Sequence, residues 1–257
     1  MKGVVLALIA VIIVAAIGIG VWYYVSTPPP KKLLKVGTSP DFPPFEYIDE
    51  KGNVVGFDMD LIRALAKKIG YDDIEIITMD FDALIPALKQ GKIDVIAAGM
   101  TITEKRKEEV DFTIPYWNAD QAILVRKASD FRPKSPDELA GRKVGVQTGT
   151  TGEYYIVDYE NRTGIDIDIK SYSSFVLAVQ DLVNGRIDAV IVDTPVASMF
   201  EKQYDVVVSA IIKTGEQYGF AVRKGETELL NKLNQALDEF MKSAEWSKLV
   251  QKYFGSG

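Results

Sequence analysis

The stretch FDALIPALKQGKIDVIAAG (81–99) is echoed by FVLAVQDLVNGRIDAVIVD (175–193) at an offset of 94 residues. A phenylalanine, a glycine, a basic residue, an isoleucine and an aspartate stay in step. KVGTS at 35 is similarly answered by KVGVQT at 143. Two ordinary helix–glycine–strand units would produce such an echo, and so would two related halves; the paired KVG strands favour the halves, since this spacing is no solenoid period. Both readings imply strands alternating with helices, hence an α/β fold with largely parallel sheets. The echo sets Gly99 against Asp193, so both stand at the carboxyl ends of equivalent strands. Open α/β sheets bind ligands at those ends, and two such sheets face to face form a cleft.

Residues 3–25, GVVLALIAVIIVAAIGIGVWYYV, carry no charge. As a helix they would span about 34 Å, the thickness of a bilayer core. Lys2 before the run and Trp22, Tyr23 and Tyr24 at its end suit a membrane anchor with its N-terminus in the cytoplasm. A cleaved signal segment is the alternative, against which stand the length of the run and the lack of a small-x-small site after it. Either way the rest of the chain is expected outside the cytoplasm. STPPPKK (26–32) reads as a stiff polar linker.

The 257 residues suffice for two modest domains, and a net charge of −6 does not suit a nucleic-acid binder. Cysteine and histidine are both absent. That removes disulfides, thiol nucleophiles, serine–histidine catalysis and the usual zinc ligands, and no metal or cofactor is expected. After a strand at 33–38, GNVVGFDMDLIRALAKKIG (52–70) reads as a helix with Asp58 as N-cap and Gly70 as its stop. IEIIT (74–78) and KIDVIAAG (92–99) read as strands flanking a helix.

Four groups would converge on the cleft. In AAGMTITEKR (97–106), Thr103 caps a helix and sets Arg106 in its first turn, where the helix dipole disfavours a cation unless an anion lies nearby. Gly99, Thr101 and Arg106 together match a carboxylate; a surface pair between Arg106 and Glu109 is the plainer reading. GVQTGTTGEYY (145–155) could aim Thr150 and Thr151 at an anion, or merely form a turn and a capped helix. It is neither a Walker A loop nor a dinucleotide fingerprint. Asp193 could receive an ammonium or cap the helix after it. Phe42 and Phe81 could sandwich a ligand side chain or pack in the core. Taken together, the set describes a free α-amino acid.

These motifs resemble the extracytoplasmic solute-binding proteins of polar amino-acid ABC transporters, the family 3 periplasmic-binding-protein-like group with a type II fold. The resemblance runs from about 33 to 255 and rests on GTSPDFPPFEY, GFDMDL, DALIPAL, GKIDVIAAGMTIT-x-x-R, VGVQTGTTGE, DTP and YGFAV. It implies two α/β lobes joined by two hinge strands, within 115–125 and 211–221. Lobe 1 would take 33–117 plus 219–257, and lobe 2 would take 122–213. It further implies that Arg106 and Thr101, with Thr151 from the other lobe, hold the ligand carboxylate. The Gly99 carbonyl and Asp193 would take the ammonium, and Phe42 and Phe81 would flank the side chain.

Ser39 and Gln147 stand at specificity positions where relatives carry aspartate and lysine. Asp41, Glu46 and Asp120 would serve a cationic ligand if they point inward, or lie exposed in loops. Arginine or lysine is the expected ligand, with glutamine close behind. The implied partners are that amino acid, a membrane permease with a separate ATPase subunit, and the membrane itself through the N-terminal segment, the protein being a monomer. A cyclohexadienyl dehydratase-like enzyme and the ectodomain partner of a sensory receptor remain as alternatives.

Overall fold

The computed structural model describes residues 31–255. The anchor read at 3–25 lies outside them; no helix among the described residues is long and apolar enough to cross a membrane. Residues 33–255 belong to one compact unit that contains two five-stranded sheets. In the first sheet, β1 (Leu33–Thr38) runs parallel to β5 (Asp73–Thr78) on one side and to β6 (Val95–Ile96) on the other. Two strands follow outward from β6: β13 (Ala221–Arg223), antiparallel to its neighbours, then β7 (Val110–Phe112). A small sheet of β2 (Asp41–Phe42), β3 (Glu46–Ile48) and β4 (Val54–Val55) lies between β1 and α1 (Phe57–Lys68) in sequence.

The second sheet has the same plan, with α5 (Phe175–Val183) packed on it as α2 (Leu84–Lys89) is packed on the first. Here β9 (Lys143–Gln147) runs parallel to both β10 (Asp168–Tyr172) and β11 (Ala189–Asp193), and β8 (Trp117–Arg126) and β12 (Val206–Tyr218) complete it antiparallel. The chain passes from the first sheet to the second after β7 and returns from β12 to β13. At that crossing β8 and β12 pair from Trp117–Tyr218 to Arg126–Val206, with an irregularity between Ile212 and Glu216. Asp120 holds the irregularity in place, accepting from the Thr214 and Gly215 N–H groups at 3.0 Å each and from Lys213 at 2.8 Å. It therefore serves the turn rather than a ligand, and those bonds hold its carboxyl below the ordinary aspartate range.

Helix α1 buries Leu61, Ile62, Leu65 and Ala66, the face its periodicity predicts. Its start differs from expectation. Gly56 occupies the N-cap at φ 141°, where a Cβ would lie 2.0 Å from the Phe45 carbonyl oxygen. Asp58 thus falls inside the first turn, fully buried, and accepts from the Gly99 N–H at 2.9 Å and the Tyr116 hydroxyl at 2.7 Å. It ties α1 to the loop after β6. Two C-terminal helices, α7 (Thr227–Met241) and α8 (Ala244–Phe254), pack against α1. Phe254 stacks on Trp117 at 4.0 Å, and Phe57 lies within an aromatic cluster with Phe45, Trp117 and Trp246.

Candidate functional site

The carboxyl ends of β1, β6, β9 and β11 meet at one tight, nearly closed cleft. Strand β6 stops at Ile96, earlier than the apolar run predicts; beyond it the Ala97 N–H donates to the Gly37 carbonyl, the Gly99 N–H to Asp58, and the Met100 carbonyl accepts from the Gly219 N–H. From the first half the cleft is lined by Ser39, Phe42, Phe81, Gly99, Thr101 and Arg106. The other half contributes Gln147, Thr150, Thr151 and Asp193. The ten positions read as ligand-binding are thus brought together, with Asp41 and Glu46 beside them, whereas Asp120 lies elsewhere.

Arg106 sits as its helix predicts. Thr103 caps α3 (Glu104–Glu109) by accepting the Arg106 N–H at 3.1 Å. The guanidinium is buried, 5.3 Å from the Phe81 ring centroid. It donates to the Thr101 carbonyl at 2.7 Å and, across the cleft, to the Gly149 carbonyl at 3.0 Å. A guanidinium has five N–H donors, so donors remain for an anion. Burial lowers its pKa, while Tyr154, Glu216 and Asp193 oppose that shift. Glu109, the alternative partner on the same helix, instead binds Lys89 at 2.7 Å.

Gly99 has φ 50°, and a Cβ there would lie 2.5 Å from the Phe42 ring. That ring also packs on Phe175 at 5.6 Å and on Tyr218 at 6.2 Å. Thr150 caps α4 (Thr151–Thr163), accepting from the Glu153 N–H and donating to the Gln147 carbonyl, so its hydroxyl belongs to the wall. Gln147 donates to Asp41 at 2.9 Å and to the Ser173 carbonyl at 3.0 Å. Asp193 occupies the N-cap position of α6 (Thr194–Gln203) but makes no cap bond. It accepts instead from Gln121 at 2.9 Å and from the Tyr218 hydroxyl at 2.5 Å. Burial, with the nearby Glu216 charge, raises its pKa.

Two acids in the cleft differ in what they have left to offer. Asp41 accepts from Ser39 at 3.1 Å, Gln147 at 2.9 Å and the Phe175 N–H at 2.8 Å, so it is spent in holding the halves together. Glu46 is 1% exposed, and neither carboxylate oxygen has a hydrogen-bond partner among the described residues. Burial first, then the charges of Asp58, Asp41 and Asp193, push its pKa well above the ordinary glutamate value. Among the described residues no group of three or more histidines, cysteines or acids is placed to hold a metal ion.

Sequence reasoning passed over Phe175, Gln121, Tyr218 and Glu216. Phe175 lines the cleft, and the echo itself carried its signal, since it is the counterpart of Phe81. Glu216 and Gln121 had no such marker; their partners lie far away in the chain.

The family model for bacterial extracellular solute-binding proteins, family 3, matches residues 34–256. A probable histidine-binding protein of Neisseria gonorrhoeae is 37% identical over 88% of this chain and 84% of its own. The arginine-binding extracellular protein ArtP of Bacillus subtilis is 38% identical, covering 87% of each chain. An ancestral arginine-binding protein bound to arginine is 47% identical, with a TM-score of 0.83 over 88% of this chain and 99% of its own. The same description with glutamine bound gives a TM-score of 0.82 at 47% identity, over 88% of this chain and 100% of that one.

Proposed function

Because this chain belongs to the bacterial extracellular solute-binding proteins of family 3, a two-lobed α/β group that acts outside the cytoplasm, we propose that its solute is a free cationic L-amino acid, arginine ahead of lysine. The observation that carries this reading is Glu46 in the cleft wall, whose carboxylate has no partner among the described residues. A buried carboxylate without a donor is costly unless something cationic arrives to pair with it. Asp41 cannot play that part, because its oxygens are taken. At the other end of the cleft, Arg106 would take the α-carboxylate, and the Gly99 carbonyl and Asp193 the α-ammonium. Phe42, Phe81 and Phe175 would enclose the aliphatic stem, and Ser39 and Gln147 would border the side-chain end. Names of the relatives lend support, as they include arginine and histidine binders. Glutamine is the nearest competitor, given the glutamine-bound ancestral structure.

In this reading residues 33–117 plus 219–257 form lobe 1 and 122–213 form lobe 2, and the strands between them act as hinges. Ligand stabilises closure by its better contacts in the closed form. The loaded protein then delivers its amino acid to the permease of an ABC transporter, held at the membrane by residues 3–25. A melting-temperature screen against the twenty amino acids, followed by titration calorimetry, tests the assignment. Arginine and lysine should raise the melting temperature most. A larger shift with glutamine would overturn the cationic assignment, and no shift with any amino acid would overturn the reading as a whole.

A further inference from the structure

Glu216 touches both halves of the molecule from the strand that returns between them. Its Oε2 accepts the Thr101 hydroxyl at 2.9 Å and the Thr151 hydroxyl at 2.8 Å. Gln121 Nε2 lies 3.2 Å from each of its oxygens. Thr101 follows β6 in the first half and bridges to Tyr218, whereas Thr151 opens α4 in the second. An ionised carboxylate only accepts, and a hydroxyl has one proton to give. Each threonine therefore commits its proton to Glu216. The 3.4 Å approach between the two hydroxyl oxygens is then a contact between acceptors, not a hydrogen bond. Both residues line the cleft, and lone pairs are all their hydroxyls can offer it.

We propose that Glu216 is a positioning residue: it fastens Thr101 to Thr151 across the cleft and turns both hydroxyls into acceptors for the ligand's α-ammonium. This rests on the amino-acid reading above and changes one part of it. The Thr101 and Thr151 hydroxyls serve the ammonium alongside Asp193, and the ligand carboxylate is left to Arg106 and backbone N–H groups. The negative charge of Glu216 also adds to the field that draws the ammonium in.

The test is titration calorimetry on the full chain with two probes, L-arginine and 5-guanidinopentanoate, which is arginine without its α-amino group. In Glu216→Gln, arginine should weaken by about tenfold or more and the des-amino probe by less than about threefold. Thr151→Val, which removes one arm of the bridge, should lose part of the same discrimination. Small-angle scattering of ligand-free Glu216→Gln should show a larger radius of gyration than the parent protein. Equal weakening of both probes would overturn the proposal. So would tighter arginine binding, which would make Glu216 an internal competitor for the ligand carboxylate's place. If the parent protein takes up neither arginine nor any other amino acid, the functional reading fails instead, an outcome visible before any variant is made.

Discussion

Arg106 reaches across the cleft to donate to the carbonyl of Gly149 at 3.0 Å, while its other terminal nitrogen donates to Thr101 on its own side at 2.7 Å. The guanidinium is therefore already oriented by backbone acceptors before a ligand carboxylate meets it. Arg106→Ala should cost about 2–5 kcal/mol of arginine-binding free energy, because the ligand carboxylate would be desolvated without its partner. Arg106→Lys should recover little of this, since an ammonium cannot supply the planar fork. Calorimetry on both variants checks the expectation; unchanged affinity in either would remove Arg106 from the carboxylate site.

Glu46 should decide between cationic and neutral side chains. In Glu46→Gln we expect arginine affinity to fall by roughly 10- to 100-fold, with glutamine affinity within about threefold of the parent. The ratio of the two dissociation constants is the measurement. If it does not move, the cationic end of the ligand lies elsewhere.

Binding should also release protons. Ligand-free Glu46 has its pKa held well above the ordinary value by burial and by neighbouring acids. A guanidinium or ammonium beside it favours the ionised form and pulls the pKa back down. Arginine affinity should accordingly rise from about pH 5 towards about pH 8, the ligand staying cationic throughout. Calorimetry in buffers of different ionisation enthalpy reads the number of protons released, and Glu46→Gln should reduce it.

Asp58 should leave a trace in the stability of the ligand-free protein. Burial lifts its pKa to about 7, against the Gly99 and Tyr116 hydrogen bonds, which act to lower it. A carboxyl whose pKa is raised on folding binds more protons in the folded state, so stability falls as pH climbs from about 4 to about 7 and then levels off. The loss from this group is about 4 kcal/mol at most. Asp58→Asn keeps an acceptor for Gly99 and Tyr116 and should flatten that slope in denaturant titrations run across the same range.

Gly99→Ala should damage the cleft. The added Cβ would sit 2.5 Å from the Phe42 ring, at a backbone φ of 50° that favours glycine. Phe42 would have to swing towards Phe175 and Tyr218. Ligand affinity should drop by about tenfold or more, with a melting temperature lowered by several degrees. Normal affinity would show that the ring yields without cost.

Much of this arrangement is legible in the sequence. The internal echo set Gly99 against Asp193, because equivalent strand ends carry equivalent duties; it also carried Phe175 as the counterpart of Phe81, a signal the reading left unused. The cap at Thr103 was readable from local chemistry alone, and the capped helix after the Gly/Thr loop was one of two readings open for Thr150. Asp58 was misread for an equally local reason. An aspartate near a helix start suggests a cap, but the close approach to Phe45 demands glycine at that turn and shifts Asp58 inward. Glu216 and Gln121 left no trace, because strand periodicity reports which face is buried and says nothing of what a side chain meets there. Asp41 and Glu46 are neighbours in one small sheet, yet the donors that saturate one and spare the other include groups from the opposite half.

The placement of β13 sets an order of events during synthesis. That strand wedges between β6 and β7, both of which leave the ribosome long before it does. The sheet built around β9 and β11 is complete once β12 has emerged, whereas the other waits with a slot through its middle. The later-made tail thus finishes the half that was begun first.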